Sequence, residues 1–460
     1  MKRIRRPVRI ALAIVPALAL AACGLGTAST TSSPATTTKV IPDLRPNQKV
    51  SITFESYNLS TAGPWTDTFN QLIANFEKMY PNITVTAQKP GGATANGVTN
   101  AISSLQTEVA AGNAPDVAQE TFGDMDFVVN KLKAQPLDDL VGKQAVQANF
   151  GGTYPYAPSA ETLGDVGGKT YGVPFVFSTP VLYYNASLFK AAGLDPTRPP
   201  TTWAQVKTDA LAIKSHTGKD GAYVDCLTQV AGDWCYQALV GSNGGSVIST
   251  DQSKLTFANP PAVQAVAMAQ DLVDSGASPK LTQVQAYPEF AAGNMGMILE
   301  SSSLQGTFQK GAAAADWQLS DAVMPSFNGK TTAPTNSGAA LFVMSTDPAK
   351  QRASWDLIKY LTSNPAFTLI ASKIGYLPLR TGLVNDPTGL QGWAKQNPLL
   401  QPNLDQLARL HQWVSFPGDN YVQIRNDMLQ AVEKVVYQNA DPASTLAAAQ
   451  QEATTLMPSA

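Results

Sequence analysis

Histidine is almost absent from this chain, with only His216 and His411 among 460 residues, and cysteine occurs just three times, at 23, 226 and 235. No cysteine or histidine stands near enough in sequence to complete a four-ligand metal site around Cys226 and Cys235. No Ser, His, Asp arrangement and no glycine-rich phosphate loop appears. Charge is sparse as well: 14% of residues are charged and the formal net charge is −2. That balance offers no basic face for a nucleic-acid groove. The conspicuous acids, Asp138-Asp139 and Glu300, would suit a glycosidase if they faced each other across a cleft. Asp138-Asp139, however, sits at a Pro-Leu-Asp-Asp-Leu helix start, where carboxylates favour the macrodipole. These absences point to binding rather than catalysis, with no cofactor and no metal.

What is present begins with an export signal. Lys2, Arg3, Arg5, Arg6 and Arg9 precede an apolar run, Ile10 to Leu20, that ends in Leu20-Ala21-Ala22-Cys23. The run is too short to span a bilayer as a helix. Small Ala21 and Ala22 let a peptidase reach the bond before Cys23, which reads as a lipoprotein signal, 1–23. Cys23 would then carry diacylglycerol on sulfur and an acyl chain on its amine. Each buried methylene contributes about 0.8 kcal/mol, so two or three chains hold a domain on the outer face of the cell membrane. The alternatives are an ordinary secretory signal with a chance cysteine and, from Arg5-Arg6, a twin-arginine route. Residues 24–48, dominated by Thr, Ser, Ala, Gly and Pro, are expected to be a disordered tether with a reach of roughly 25 Å. Under oxidising conditions Cys226 and Cys235, nine positions apart, are expected to pair. Closing that loop is worth roughly 2.7 kcal/mol in the chain-entropy picture.

The remaining chain is too long for one ordinary core and suggests two lobes. Val50 to Phe54 alternates as a strand, and Phe69, Leu72, Ile73, Phe76 and Met79 recur at helical spacing behind a cap at Thr66 or Asp67. Ile83 to Ala87 alternates again, so the segment is a βαβ unit and the fold class α/β with parallel strands. Ile102, Leu105 and Val109 followed by Asp116 to Ala118 repeat the unit. Tyr171 to Asn185 is extended but holds Pro174 and Pro180, which suits a crossover between lobes. Further extended pieces at Gly296 to Leu299 and Ala339 to Met344 complete a multi-strand hinge, and Lys350 onward looks helical. The lobes are expected at 49–174 with 302–348, and at 175–301 with 349–460.

Four passages carry a family likeness: Leu105 to Val117, Gly167 to Val206, Glu289 to Ser303 and Ile374 to Arg380. Together they resemble the extracellular solute-binding proteins of ABC importers, most closely the sn-glycerol-3-phosphate or glycerophosphodiester and sugar-binding group. The resemblance implies a two-lobed periplasmic-binding-protein-like fold that captures a sugar, polyol or glycerophosphodiester as a monomer. It implies delivery to permease subunits powered by a separate ATPase. It also implies ligand contacts at Ser178, the turn Ser301-Ser302-Ser303, the Gly338-Ala339 turn, Tyr376 and Arg425. The chain departs from the pattern where that group has a Tyr and a Glu on the first lobe, since Gly91-Gly92-Ala93 and Phe122 stand near those places. Glycerol recognition is therefore open, as is a neutral oligosaccharide or polyol only.

Chemistry refines this site. Sugar C–H faces need flat aromatic rings, and hydroxyls need side chains that replace water. Trp65, after Gly63-Pro64 in the loop following the first strand, stands where a parallel sheet presents its crevice; equally, it could start the hydrophobic face of the next helix. Trp234, beside Cys235 in a loop-like stretch, is expected to stack on ligand, whereas Trp203 and Trp355 belong to the core. Arg425 could grip a phosphate bidentately. Its alternative is a surface arginine on the final helix paired with Asp427 or another carboxylate. Asp124 and Asp126 either bind hydroxyls or solvate a helix end, and His216, beside a Lys-Ser turn, and His411, in an Arg-Leu-His-Gln helix, are expected in solvated positions. A surface adhesin is the remaining non-enzymatic reading, and it would not close on a ligand.

Overall fold

The computed structural model describes residues 40–60, 62–92 and 101–458. The signal segment, Cys23, the greater part of the proposed tether and Ala93 lie outside the described residues. The tether's last residues, Val40 to Gln48, are not free chain: the Ile41 amide donates to the Leu140 carbonyl at 2.8 Å, and Asp43 pairs with Arg352 at 2.7 Å. Ile41 and Leu44 add apolar contact with the core, which outweighs the polar composition of the stretch.

Alternation does produce the first strand, β1 (Val50–Glu55), and its βαβ partner β2 (Ile83–Gln88) pairs with it in parallel from Val50 opposite Ile83 to Glu55 opposite Gln88. The intervening helix, Pro64–Met79, is capped by Gly63 with Pro64 in its first turn, not by Thr66 or Asp67. Proline's missing N–H costs nothing there. Phe69, Leu72, Ile73 and Phe76 are buried as the periodicity predicts, but Met79 is exposed because the helix ends there. Helix Ala101–Ala110 then leads to β3 (Val117–Thr121), parallel to β1.

A short hairpin of β4 (Asp165–Val166) and β5 (Lys169–Thr170) precedes β6 (Gly172–Ser178) and β7 (Pro180–Asn185). Beyond them come β8 (Asp220–Val224), β9 (Met295–Ser301), β10 (Leu319–Val323) and β11 (Ser337–Val343). Two main sheets result, with orders β2-β1-β3-β11-β6 and β10-β7-β9-β8. Pro174 is accommodated because β6 is an edge strand, and Pro180 opens β7. The chain changes sheet between Ser178 and Pro180, and again between Val323 and Ser337. A third passage follows Leu377, whose amide donates to Phe177 of β6, and ends by Gln406, whose side chain donates to the Pro180 carbonyl at 3.0 Å.

These passages differ from the lobe boundaries expected above. Within 302–348, β10 pairs with β7 of the second sheet and only β11 joins the first. Residues 175–178 complete β6 in the first sheet. Helix Pro348–Leu361 packs on the first sheet too, with Lys350 on Asp116 at 3.1 Å. Strand pairing across long sequence separations decides this, and local pattern does not report it. Trp203 and Trp355 are buried as expected. His216 is exposed in helix Trp203–Thr217, whereas His411 is extended, in a bridge with Thr335. Among the described residues no helix is long and apolar enough to cross a membrane.

Candidate functional site between the sheets

The ends of β1 and β3, the Ser178 to Pro180 passage and the end of β9 converge on a cavity of about 90 Å³. Trp65, Ser178, Trp234, Ser301, Gly338 and Tyr376, far apart in sequence, all line it. Trp65 is placed by its own helix start: its Nε1 donates to the Ser303 carbonyl at 3.0 Å, and its ring lies 5.8 Å from that of Tyr376. The Tyr376 hydroxyl accepts from Asn58 Nδ2 at 3.0 Å, and Asn58 in turn is held by Gln119 at 2.6 Å. Burial pushes the Tyr376 phenol up to about 12, against the Asn58 hydrogen bond. This ring is therefore a fixed, neutral wall.

Ser301 donates to Ser178 at 2.8 Å and shares a hydrogen bond of the same length with Ser303. The two sheets thus meet in a small hydroxyl cluster at the cavity. Gly338 has φ of +131°, and a Cβ there would collide with the Val176 carbonyl of β6. The position requires glycine. Ser302 is wholly buried beside the cavity rather than on it, its carbonyl accepting from the Tyr183 hydroxyl at 3.2 Å.

Trp234 is not in a loop. It opens helix Trp234–Ser242 behind Asp233, and its carbonyl accepts from the Thr335 hydroxyl. The disulfide between Cys226 and Cys235 joins this helix start to the turn holding Asp225, which also lines the cavity. Asp225 is buried and accepts from Gln283 at 2.7 Å and from the Tyr287 hydroxyl at 3.2 Å. Glu300, from β9, lies beside it and is likewise buried.

Arg425 does not line the cavity. It sits in helix Tyr421–Gln438, followed by a further helix, Pro442–Thr454, so its helix is not the last. Its partner is Asp124 at 3.4 Å, while Asp427 is taken by Gln423. Asp124 also accepts from the Tyr421 hydroxyl at 2.6 Å. Burial works against the Arg425 charge, but Asp124 and Asp233 hold its pKa above the ordinary value. Burial raises Asp233 despite Arg425, and the Trp413 indole donates to it at 2.9 Å.

Sequence reasoning missed Tyr57, Asp225, Gln283, Tyr287 and Trp413 as lining residues, whereas Ser303, in the turn that the resemblance picked out, does line the cavity. Asp225 had one signal, its place beside a bridged cysteine. Among the described residues, the lining contains no Lys or Arg, and no cluster of His, Cys, Asp and Glu could hold a metal ion. The arrangement can stack flat apolar faces and exchange hydrogen bonds with hydroxyls.

The bacterial extracellular solute-binding protein family matches residues 71–402. An ABC-transporter-binding protein of Deinococcus radiodurans is 26% identical over 338 residues, covering 70% of this chain and 76% of its own. Two solved structures share the fold at a TM-score of 0.74, 20% identity, 89% of this chain and 98% of theirs. They are UgpB of Mycobacterium tuberculosis with glycerophosphocholine and the GacH receptor of Streptomyces glaucescens, solved unliganded and with acarbose. With well over half its length inside the family pattern and the two-sheet fold to match, the chain belongs to the bacterial extracellular solute-binding proteins.

Proposed function

We propose that this receptor captures a neutral saccharide or polyol between its lobes and hands it to the permease of an ABC importer. The observation that carries the reading is the cavity lining: Tyr57, Trp65, Trp234, Tyr376 and Trp413 surround hydroxyl and carboxyl groups, with no cation among the described lining residues. A phosphate would need a guanidinium or ammonium to replace its water. Arg425 is already committed to Asp124. The cavity is well below the ~300 Å³ at which ligand pockets usually begin. Admitting a solute therefore calls for the lobes to part at the three passages, and capture is a shift between open and closed populations. A lipid on Cys23 would hold the monomeric receptor at the outer membrane face, and the ATPase would be a separate chain.

Titration calorimetry with maltose, sorbitol and glycerophosphocholine tests the solute class. Binding of either neutral compound with no response to glycerophosphocholine is expected; the opposite order would overturn it. X-ray scattering should show contraction on binding, which an adhesin would not.

A further inference from the structure

Two acids at one end of the cavity are buried with part of their hydrogen-bonding capacity unmet. Asp225 and Glu300 are 0% and 2% exposed and both line the cavity. Gln283 and Tyr287 satisfy Asp225 Oδ2, yet Asp225 Oδ1 and Glu300 Oε2 receive no hydrogen bond from any other group. The parallel register of β8 on β9, with Val224 opposite Leu299, brings the two carboxyls side by side at the strand ends, where a proton on one of them relieves the repulsion of two like charges.

Among the described residues, no cation is found facing the pair. Tyr223 on β8, Tyr183 on β7, Tyr287 on helix Gln283–Ala291 and Tyr437 on helix Tyr421–Gln438 face the pair, with Glu433 beyond Tyr437 and Asp321 beyond Tyr183. All are neutral or acidic. We propose that Asp225 and Glu300 hold one proton between them as the polar end of the cavity that binds a solute hydroxyl, and that capture weakens when this proton leaves at high pH. The inference rests on the neutral-solute reading. A singly protonated pair can both give and take a hydrogen bond, as a hydroxyl does. Losing the proton places two like charges side by side in a buried site, which draws in water or counterions against the solute. Burial first, and then the neighbouring Asp225 charge, raises Glu300 well above the ordinary carboxylate value, in keeping with this arrangement.

The test uses the full mature chain with carboxyl-carbon NMR, alongside maltose and sorbitol affinities at about pH 6 and about pH 9. A protonated carboxyl resonance at neutral pH that disappears in Glu300→Gln is expected. Wild-type affinity should fall at least about tenfold between the two pH values, the scale of one unmet buried hydrogen bond. Glu300→Gln keeps the shape and can donate an amide hydrogen bond towards Asp225 but cannot ionise, so whatever its affinity at about pH 6, that affinity should change less than about twofold between the two pH values. An ionised Glu300 at neutral pH, or a wild-type affinity indifferent to pH, overturns the proposal. If neither maltose nor sorbitol binds at either pH, the neutral-solute reading fails, and the resonance alone still decides whether the proton is shared.

Discussion

Arg425 and Asp124 join a helix packed beside the second sheet to the end of β3 in the first, with Nη1 3.4 Å from Oδ1 in a buried setting. The Arg425 guanidinium also lies 5.8 Å from the Tyr421 ring centroid, and Tyr421 donates to the same carboxylate. The arginine is thus a tie between lobes. Removing it would leave Asp124 and Asp233 buried without their cation.

Arg425→Ala should therefore cost roughly 3 kcal/mol of stability, because an uncompensated buried charge is worse than a lost contact. Arg425→Lys should restore part of that loss. Chemical denaturation checks both. An Arg425→Ala protein as stable as wild type, but unable to bind glycerophosphocholine, would show instead that the arginine serves a phosphate.

For a neutral solute, the rings matter more. Trp234→Ala and Tyr376→Ala should each weaken saccharide binding by roughly 2 kcal/mol, on the scale of interface hot spots. Tyr376→Phe keeps the ring and loses the hydroxyl that accepts from Asn58, so about 1 kcal/mol is expected. Calorimetry on correctly folded variants measures the order. If Tyr376→Phe hurts as much as Tyr376→Ala, the hydroxyl and not the aromatic face is the contact.

Stability should decline as pH rises from acid to mildly alkaline. Burial raises Asp321 from 3.8 to about 8 and Glu55 from 4.5 to about 7. The folded state then binds more protons than the unfolded one between those values, so the stabilisation is complete below the unfolded pKa and lost as pH passes the folded pKa. The loss is on the order of a few kcal/mol. Melting temperatures at about pH 5 and about pH 9 should differ by several degrees in wild type, and Asp321→Asn should narrow the gap. An identical gap in the variant would mean that Asp321 does not carry it.

Cys23→Ala should leave the protein exported but released from membranes, since a covalent lipid rather than the fold would hold it. Fractionation of cells expressing the variant answers this directly; full retention would refute the lipid anchor.

The chain's local chemistry determined a good deal unaided. The alternation of Val50 to Phe54, the helical spacing of Phe69 to Phe76 and the second alternation at Ile83 produced the parallel βαβ unit, because strand and helix periods are properties of neighbouring residues. Two cysteines nine positions apart were close enough to bridge, and the prolines in 171–185 marked a passage between sheets. The family likeness also named Ser178, Ser301, Gly338 and Tyr376, and the loop after the first strand offered Trp65; the structure brings all five to one cavity. Only the tertiary structure decided the rest. It placed Arg425 against Asp124, 301 positions away. It put β10 in the second sheet although β11 returns to the first. It also set Asp225 beside Glu300, although neither residue's local pattern names the other. Such pairings depend on which strands and helices dock across long loops, and that choice is made by burial summed over the whole core, not by any segment's own sequence.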